Sequence, residues 1–137
     1  MNRRSFLATA ALGSVALVVG CGPKAPYQVV PISGVATYNG QPLPVGFTVQ
    51  LEPPDGSRAS VGVIREGGKF EMVHTRAQKG AKTGSNTVRV YWNDPPEIKP
   101  VPDEYKKLMA KYGFGGTENM TVEITKKDTN FKIDFVD

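Results

Sequence analysis

Apolar residues recur at every second position along most of this chain, and that period is the one a half-buried β-strand needs. Ile32-Ser33-Gly34-Val35-Ala36-Thr37-Tyr38 opens the pattern and runs into Asn39-Gly40, a pair suited to the positive φ of a tight hairpin turn. Phe47, Val49 and Leu51 alternate with Thr48, Gln50 and Glu52, and Pro53-Pro54-Asp55-Gly56 ends that run. Val61 with Val63, and Phe70 with Met72, mark two more strands on either side of Gly67-Gly68. Val88, Val90 and Trp92 alternate with Thr87, Arg89 and Tyr91. Met120, Val122 and Ile124 make a sixth run, and Phe131, Ile133 and Phe135 a seventh. Seven short strands, each with one apolar face, predict an all-β chain folded as a seven-stranded antiparallel β-sandwich.

One segment has a different period. Between Pro102 and Gly113, Tyr105, Leu108, Met109 and Tyr112 fall at i, i+3, i+4 and i+7. Asp103 and Glu104 lead, three lysines follow, and Gly113 closes, which is the charge order and stop signal of a short helix. It is expected in the long connection between the fifth and sixth strands, with its apolar stripe packed on the sandwich. The sharper alternative is a stripe that fills a partner's groove.

The N-terminus predicts export. Met1-Asn2-Arg3-Arg4 is a basic head, Ser5 to Gly20 is an uncharged, mostly apolar run, and Cys21 follows. As a helix that run of 16 residues spans about 24 Å at roughly 1.5 Å per residue, short of a ~30 Å hydrocarbon core. Val18-Val19-Gly20-Cys21 resembles the bacterial lipobox. That resemblance implies cleavage between Gly20 and Cys21 and a diacylglycerol on the Cys21 thiol. Two or three acyl chains, at about 0.8 kcal/mol per buried methylene, hold a protein stably on a membrane. Arg3-Arg4-Ser5-Phe6-Leu7 also resembles the core of a twin-arginine signal, with general secretion as the alternative route. The expected organisation is a signal over 1–20, a Pro-rich tether over 21–31 and one β-domain over 32–137. The expected place is the cell envelope, with the domain facing the periplasm or the exterior.

The turns between the strands carry a second resemblance. Ile32 to Leu43 looks like the opening of carboxypeptidase-regulatory-like domains, where a strand with an internal glycine enters a Gly-x-Pro-Leu turn. Gly68-Lys69-Phe70-Glu71-Met72 is similar to a later strand of that family, Gly80 to Val90 to its Gly-rich turn and next strand, and Phe131 to Phe135 to its closing strand. With the lipobox, the chain resembles small planctomycete-type lipoproteins built on this transthyretin-like sandwich. The resemblance implies the fold and carries no activity. Asn86 stands where the family commonly has an aromatic residue or His, and Val35 puts an apolar side chain on the expected outer face.

Chemistry is sparse. The chain of 137 residues has one Cys and one His, which excludes a disulfide framework, multi-cysteine metal sites and two-histidine zinc motifs. No catalytic residue, metal site or cofactor is expected. His74 is expected as a surface residue at a strand end. No serine sits in a GxSxG elbow, and Gly80 to Gly84 lacks the Lys-Ser/Thr ending of a phosphate loop. Nucleic acid is not an expected partner. The net charge is +4, of which Arg3 and Arg4 supply two that leave with the signal, and the lysines do not interleave with stacking aromatics. Tyr91, on the polar side of its strand, is the candidate ligand contact, for a sugar ring or a peptide. The expected partners are a membrane through the lipid on Cys21 and an envelope protein or glycan.

Overall fold

A computed structural model describes residues 28–126 and 130–137. The expected sites Arg3, Arg4, Gly20 and Cys21 lie outside the described residues. In chain order the strands are β1 (Val29–Val30), β2 (Ser33–Tyr38), β3 (Gln41–Pro42), β4 (Phe47–Glu52), β5 (Ser60–Val63) and β6 (Lys69–Glu71). They continue with β7 (Val73–Thr75), β8 (Gln78–Lys79), β9 (Ala81–Lys82), β10 (Gly84–Trp92), β11 (Met120–Ile124) and β12 (Asn130–Phe135). A single α-helix, α1 (Lys106–Tyr112), follows a 3-10 turn at Asp103–Tyr105 between β10 and β11.

The all-β sandwich is present, with corrections to its details. One layer is six-stranded, in the order β11-β10-β4-β5-β7-β8, and the other holds β12, β2 and β3, with β6 also paired to β2. The chain therefore makes twelve strand segments among the described residues, where the sequence suggests seven. Some of the additional segments are only two residues long, below the length at which alternation can be recognised. The layers are antiparallel within themselves except that β12 runs parallel to β2, Asn130 beside Ser33 through Phe135 beside Tyr38.

Register explains the core. Val88 lies opposite Leu51 and Val90 opposite Val49, so the inward residues of β10 and β4 meet across the central pair of the large layer. Phe47, Val49, Leu51, Val88 and Val90 are all buried there, facing Ala36, Phe70, Ile133 and Phe135 of the other layer. The Asn39-Gly40 turn forms as expected. Both residues have positive φ, +49° and +80°, and Tyr38 pairs with Gln41 across them.

The phase of β5 is opposite to the expected one. Val61 and Val63 point outward, with Val63 54% exposed, while Ser60 and Gly62 face in. The physical reason is space. A side chain at Gly62 would meet the Met72 sulfur at 2.8 Å and the Phe70 ring at 3.2 Å, so those two residues already fill the core behind β5.

The segment read as a tether is folded at its C-terminal end. Val29 and Val30 pair with Lys82 and Ala81, and Val30 is buried. Gly80, at φ +116°, brings its Cα against the Val30 carbonyl, where a Cβ would come within 2.1 Å of the oxygen. The domain therefore begins at least three residues before Ile32.

The helix matches its expected stripe. Leu108 and Tyr112 are buried, and Tyr105 and Met109 are half-buried against the core. Its rings close one end of the sandwich. Tyr105 meets Phe47 at 5.2 Å and Tyr38 at 5.9 Å between centroids, and Tyr112 meets Phe135 at 5.0 Å. The C-terminus is fastened beside it. Tyr38 Oη donates to the Asp137 carboxylate, Asn39 Nδ2 to its other oxygen at 3.1 Å, and Tyr112 Oη to the Val136 carbonyl at 3.0 Å. The hydrogen bond to Asp137, with burial added, pushes the Tyr38 hydroxyl up to about 12.

Candidate functional site

Three places on the fold have functional potential: the face around Tyr91, the His74 pair and a groove on the small layer. Tyr91 stands on the outer face of β10, in line with Thr48 of β4 and Val63 of β5. It is half-buried rather than open, because Phe114 lies over it at 5.8 Å between ring centroids and 34° between planes. Phe114 itself is 63% exposed. The Gly113 to Gly116 stretch is a defined turn that delivers this ring. Gly116 N–H donates to the Gly113 carbonyl at 2.9 Å, and Glu118 N–H to the Lys111 carbonyl at 2.9 Å.

Polar groups around the two rings are held in place. Arg89 donates to the Glu118 carbonyl at 3.1 Å and to Asn119 Oδ1 at 2.9 Å, with Glu52 at 4.0 Å from its Nε. Gln50 Nε2 donates to Glu52 Oε1 at 2.8 Å, and Thr48 Oγ1 donates to Asn93 Oδ1 at 2.6 Å. Two aromatic faces bordered by oriented donors and acceptors suit the apolar faces and hydroxyls of a sugar ring. Sequence reasoning finds Tyr91 and misses Phe114, since a single aromatic residue among glycines has no period to place it.

His74 corrects the sequence reading. It lies in the middle of β7, only 5% exposed, with its Nδ1 2.9 Å from the Ser60 hydroxyl. The signal was there, since Phe70, Met72 and His74 continue one alternation inward. Ser and His at this distance resemble a nucleophile and its base. Ser60 is 1% exposed, however, so its hydroxyl has no face open to a substrate carbonyl. Arg58 Nε donates to the His74 carbonyl at 2.8 Å and ties the strand down.

Burial, and then the charge of Arg58, hold the His74 imidazole below its ordinary 6.5. The unfolded chain thus takes up this proton before the folded one does. The contribution to stability is complete above about pH 6.5 and is lost as pH falls through the lowered folded value. Thermal melts between pH 7.5 and pH 5 are expected to show a falling Tm, and His74→Gln is expected to reduce that slope. An unchanged slope in the variant would assign the acid sensitivity elsewhere.

The groove crosses the outer side of the small layer. It has a volume of about 730 Å3 and runs over β6, β2 and β12 from Arg65 and Lys69 to Lys132, with Val35 between the lysines; the Phe70 and Phe131 side chains turn to the core side. Asn86, the other residue that departs from the resembled family, is buried in the large layer. Its Nδ2 donates to the Lys82 and Gly84 carbonyls at 3.0 and 3.1 Å, so it serves the β9–β10 turn. Among the described residues no three His, Cys, Asp or Glu side chains converge as a metal site, and no helix is long and apolar enough to cross a membrane.

No protein-family model, curated protein or solved structure matches this chain.

Proposed function

We propose that this chain is an exported lipoprotein, held on an envelope membrane by a lipid on Cys21, whose sandwich is a non-enzymatic structural or binding module. The observation that carries this reading is Val18-Val19-Gly20-Cys21 at the end of an apolar run behind Arg3 and Arg4. A carboxypeptidase-regulatory-like domain is the family reading that accompanies it, supported by the β-sandwich and by the Asn39-Gly40 turn. Cys21 precedes Val29 by eight residues, so at about 3.5 Å per residue the domain is tethered within about 28 Å of the lipid. The sealed Ser60–His74 pair supports the non-enzymatic part. Cells fed a fatty-acid analogue are expected to label the wild-type chain and to leave Cys21→Ala unlabelled. Label that survives Cys21→Ala would reject the lipid anchor.

A second reading, that the module binds carbohydrate, is favoured by the exposed Phe114 ring over Tyr91. In a glycan array, Tyr91→Ala and Phe114→Ala are each expected to weaken a wild-type signal about tenfold, which corresponds to about 1.4 kcal/mol. Signals that both variants leave intact would remove this face from consideration.

A further inference from the structure

β12 is the outer strand of the small layer, and among the described residues no strand pairs with its far side. The direction of its backbone groups follows from its hydrogen bonds. The Phe135 carbonyl faces β2, since the Asn39 N–H donates to it at 2.9 Å. Successive residues of a strand turn their N–H and C=O groups to opposite sides, so Phe131 and Ile133 also face β2. Asn130, Lys132 and Asp134 then present theirs outward. Val136 follows the same alternation, and its carbonyl accepts from Lys111 Nζ and Tyr112 Oη, each at 3.0 Å. The helix therefore closes this edge at Val136, and the backbone from Asn130 to Asp134 stays open beside it.

The open stretch is complementary to itself. Phe131-Lys132-Ile133-Asp134-Phe135 reads the same in both directions apart from the sign of its charges. Laid antiparallel to a second copy, with Ile133 opposite the partner's Ile133, it sets Lys132 opposite the partner's Asp134 and Asp134 opposite the partner's Lys132. A two-fold axis relates the two pairs. Lys132 and Asp134 are the residues whose backbone groups point outward, so the two pairs exchange four backbone hydrogen bonds. Their side chains, 72% and 51% exposed, stand on the outer face, where opposite charges directly across a strand pair attract. Asp134 is held on that face by the Thr37 hydroxyl, and Lys132 lies 3.7 Å from it along the same strand. The other face of the pair carries only Phe131, Ile133 and Phe135, so the pairing buries no polar side chain.

Charges on an edge strand commonly block pairing, but here they select one register. A slip of two residues sets Lys132 against Lys132 in one direction and Asp134 against Asp134 in the other. A slip of one residue sets outward backbone groups against groups already turned to β2.

We propose that two copies of this chain associate through β12, as an antiparallel pair centred on Ile133 that joins the two small layers into one continuous sheet. The inference does not depend on lipid at Cys21.

Sedimentation equilibrium of the full chain carrying Cys21→Ala is expected to show a reversible dimer with a Kd below about 1 mM. In that background Lys132→Asp and Asp134→Lys, both at exposed positions, each place like charges across the pair. Each is expected to weaken association at least tenfold. Mixing the two variants brings opposite charges together again, so a heterodimer is expected at wild-type strength. The double variant Lys132→Asp with Asp134→Lys is expected to recover the dimer by itself. A chain that stays monomeric up to about 1 mM, association that neither single variant weakens, or losses that neither the mixture nor the double variant restores would each overturn the proposal.

Discussion

Gly34→Ala is expected to cost at least about 3 kcal/mol of stability, at the upper end of overpacking effects, and to shift the urea midpoint accordingly. Gly34 lies in the middle of the small layer, with Phe70 of β6 opposite on one side and Phe131 of β12 on the other. A Cβ there would sit 1.7 Å from the Phe131 carbonyl oxygen and 2.6 Å from its carbon. Both are backbone atoms, so no side-chain rotation relieves the clash. β12 must move instead, and it carries the buried Ile133 and Phe135. Gly40→Ala is the control. It has φ +80° and nothing within 4 Å of its Cβ, so only the local backbone preference is lost, at about 1 kcal/mol. Equal urea midpoints for Gly34→Ala and wild type would mean that β2 and β12 do not approach as described.

Phe47→Ala is expected to cost about 3–5 kcal/mol, a large part of the roughly 5–15 kcal/mol that a domain has in total. Phe47 is fully buried at the start of β4, and its ring stands edge-on to Trp92 at 4.9 Å and to Tyr105 at 5.2 Å. It thus joins the end of β10, the turn before α1 and the sandwich. Its loss leaves a cavity at the end that the helix closes, and reduced near-UV ellipticity from Trp92 should accompany the lower midpoint. A cost below about 1 kcal/mol would show that the helix end does not depend on this ring.

The elements most legible in sequence are those where a single face is apolar. β4, β10 and α1 each have one such face, and each buries the face its period marks. β5 misleads because Ser60 and Gly62 are the inward residues, and only the Phe70 and Met72 side chains from other parts of the chain explain why small residues belong there. β1 is two residues long in a Pro-rich stretch, and its partner β9 lies more than fifty residues away, Val30 pairing with Ala81, so neither announces itself locally. The parallel pairing of β12 has the same cause, since alternation marks a strand and not its neighbour. At the candidate sites, Tyr91 is visible as an outward aromatic residue. Phe114 and the cationic row of Lys69 and Lys132 exist only once turns and register bring them together.

Mass spectrometry of the N-terminal peptide, taken from chain recovered in the membrane fraction, tests the lipoprotein reading most directly. The mature chain is expected to begin at Cys21 and to carry the added mass of a diacylglyceryl group on that residue. A peptide that retains residues 1–20, or a Cys21 of unmodified mass, would contradict it.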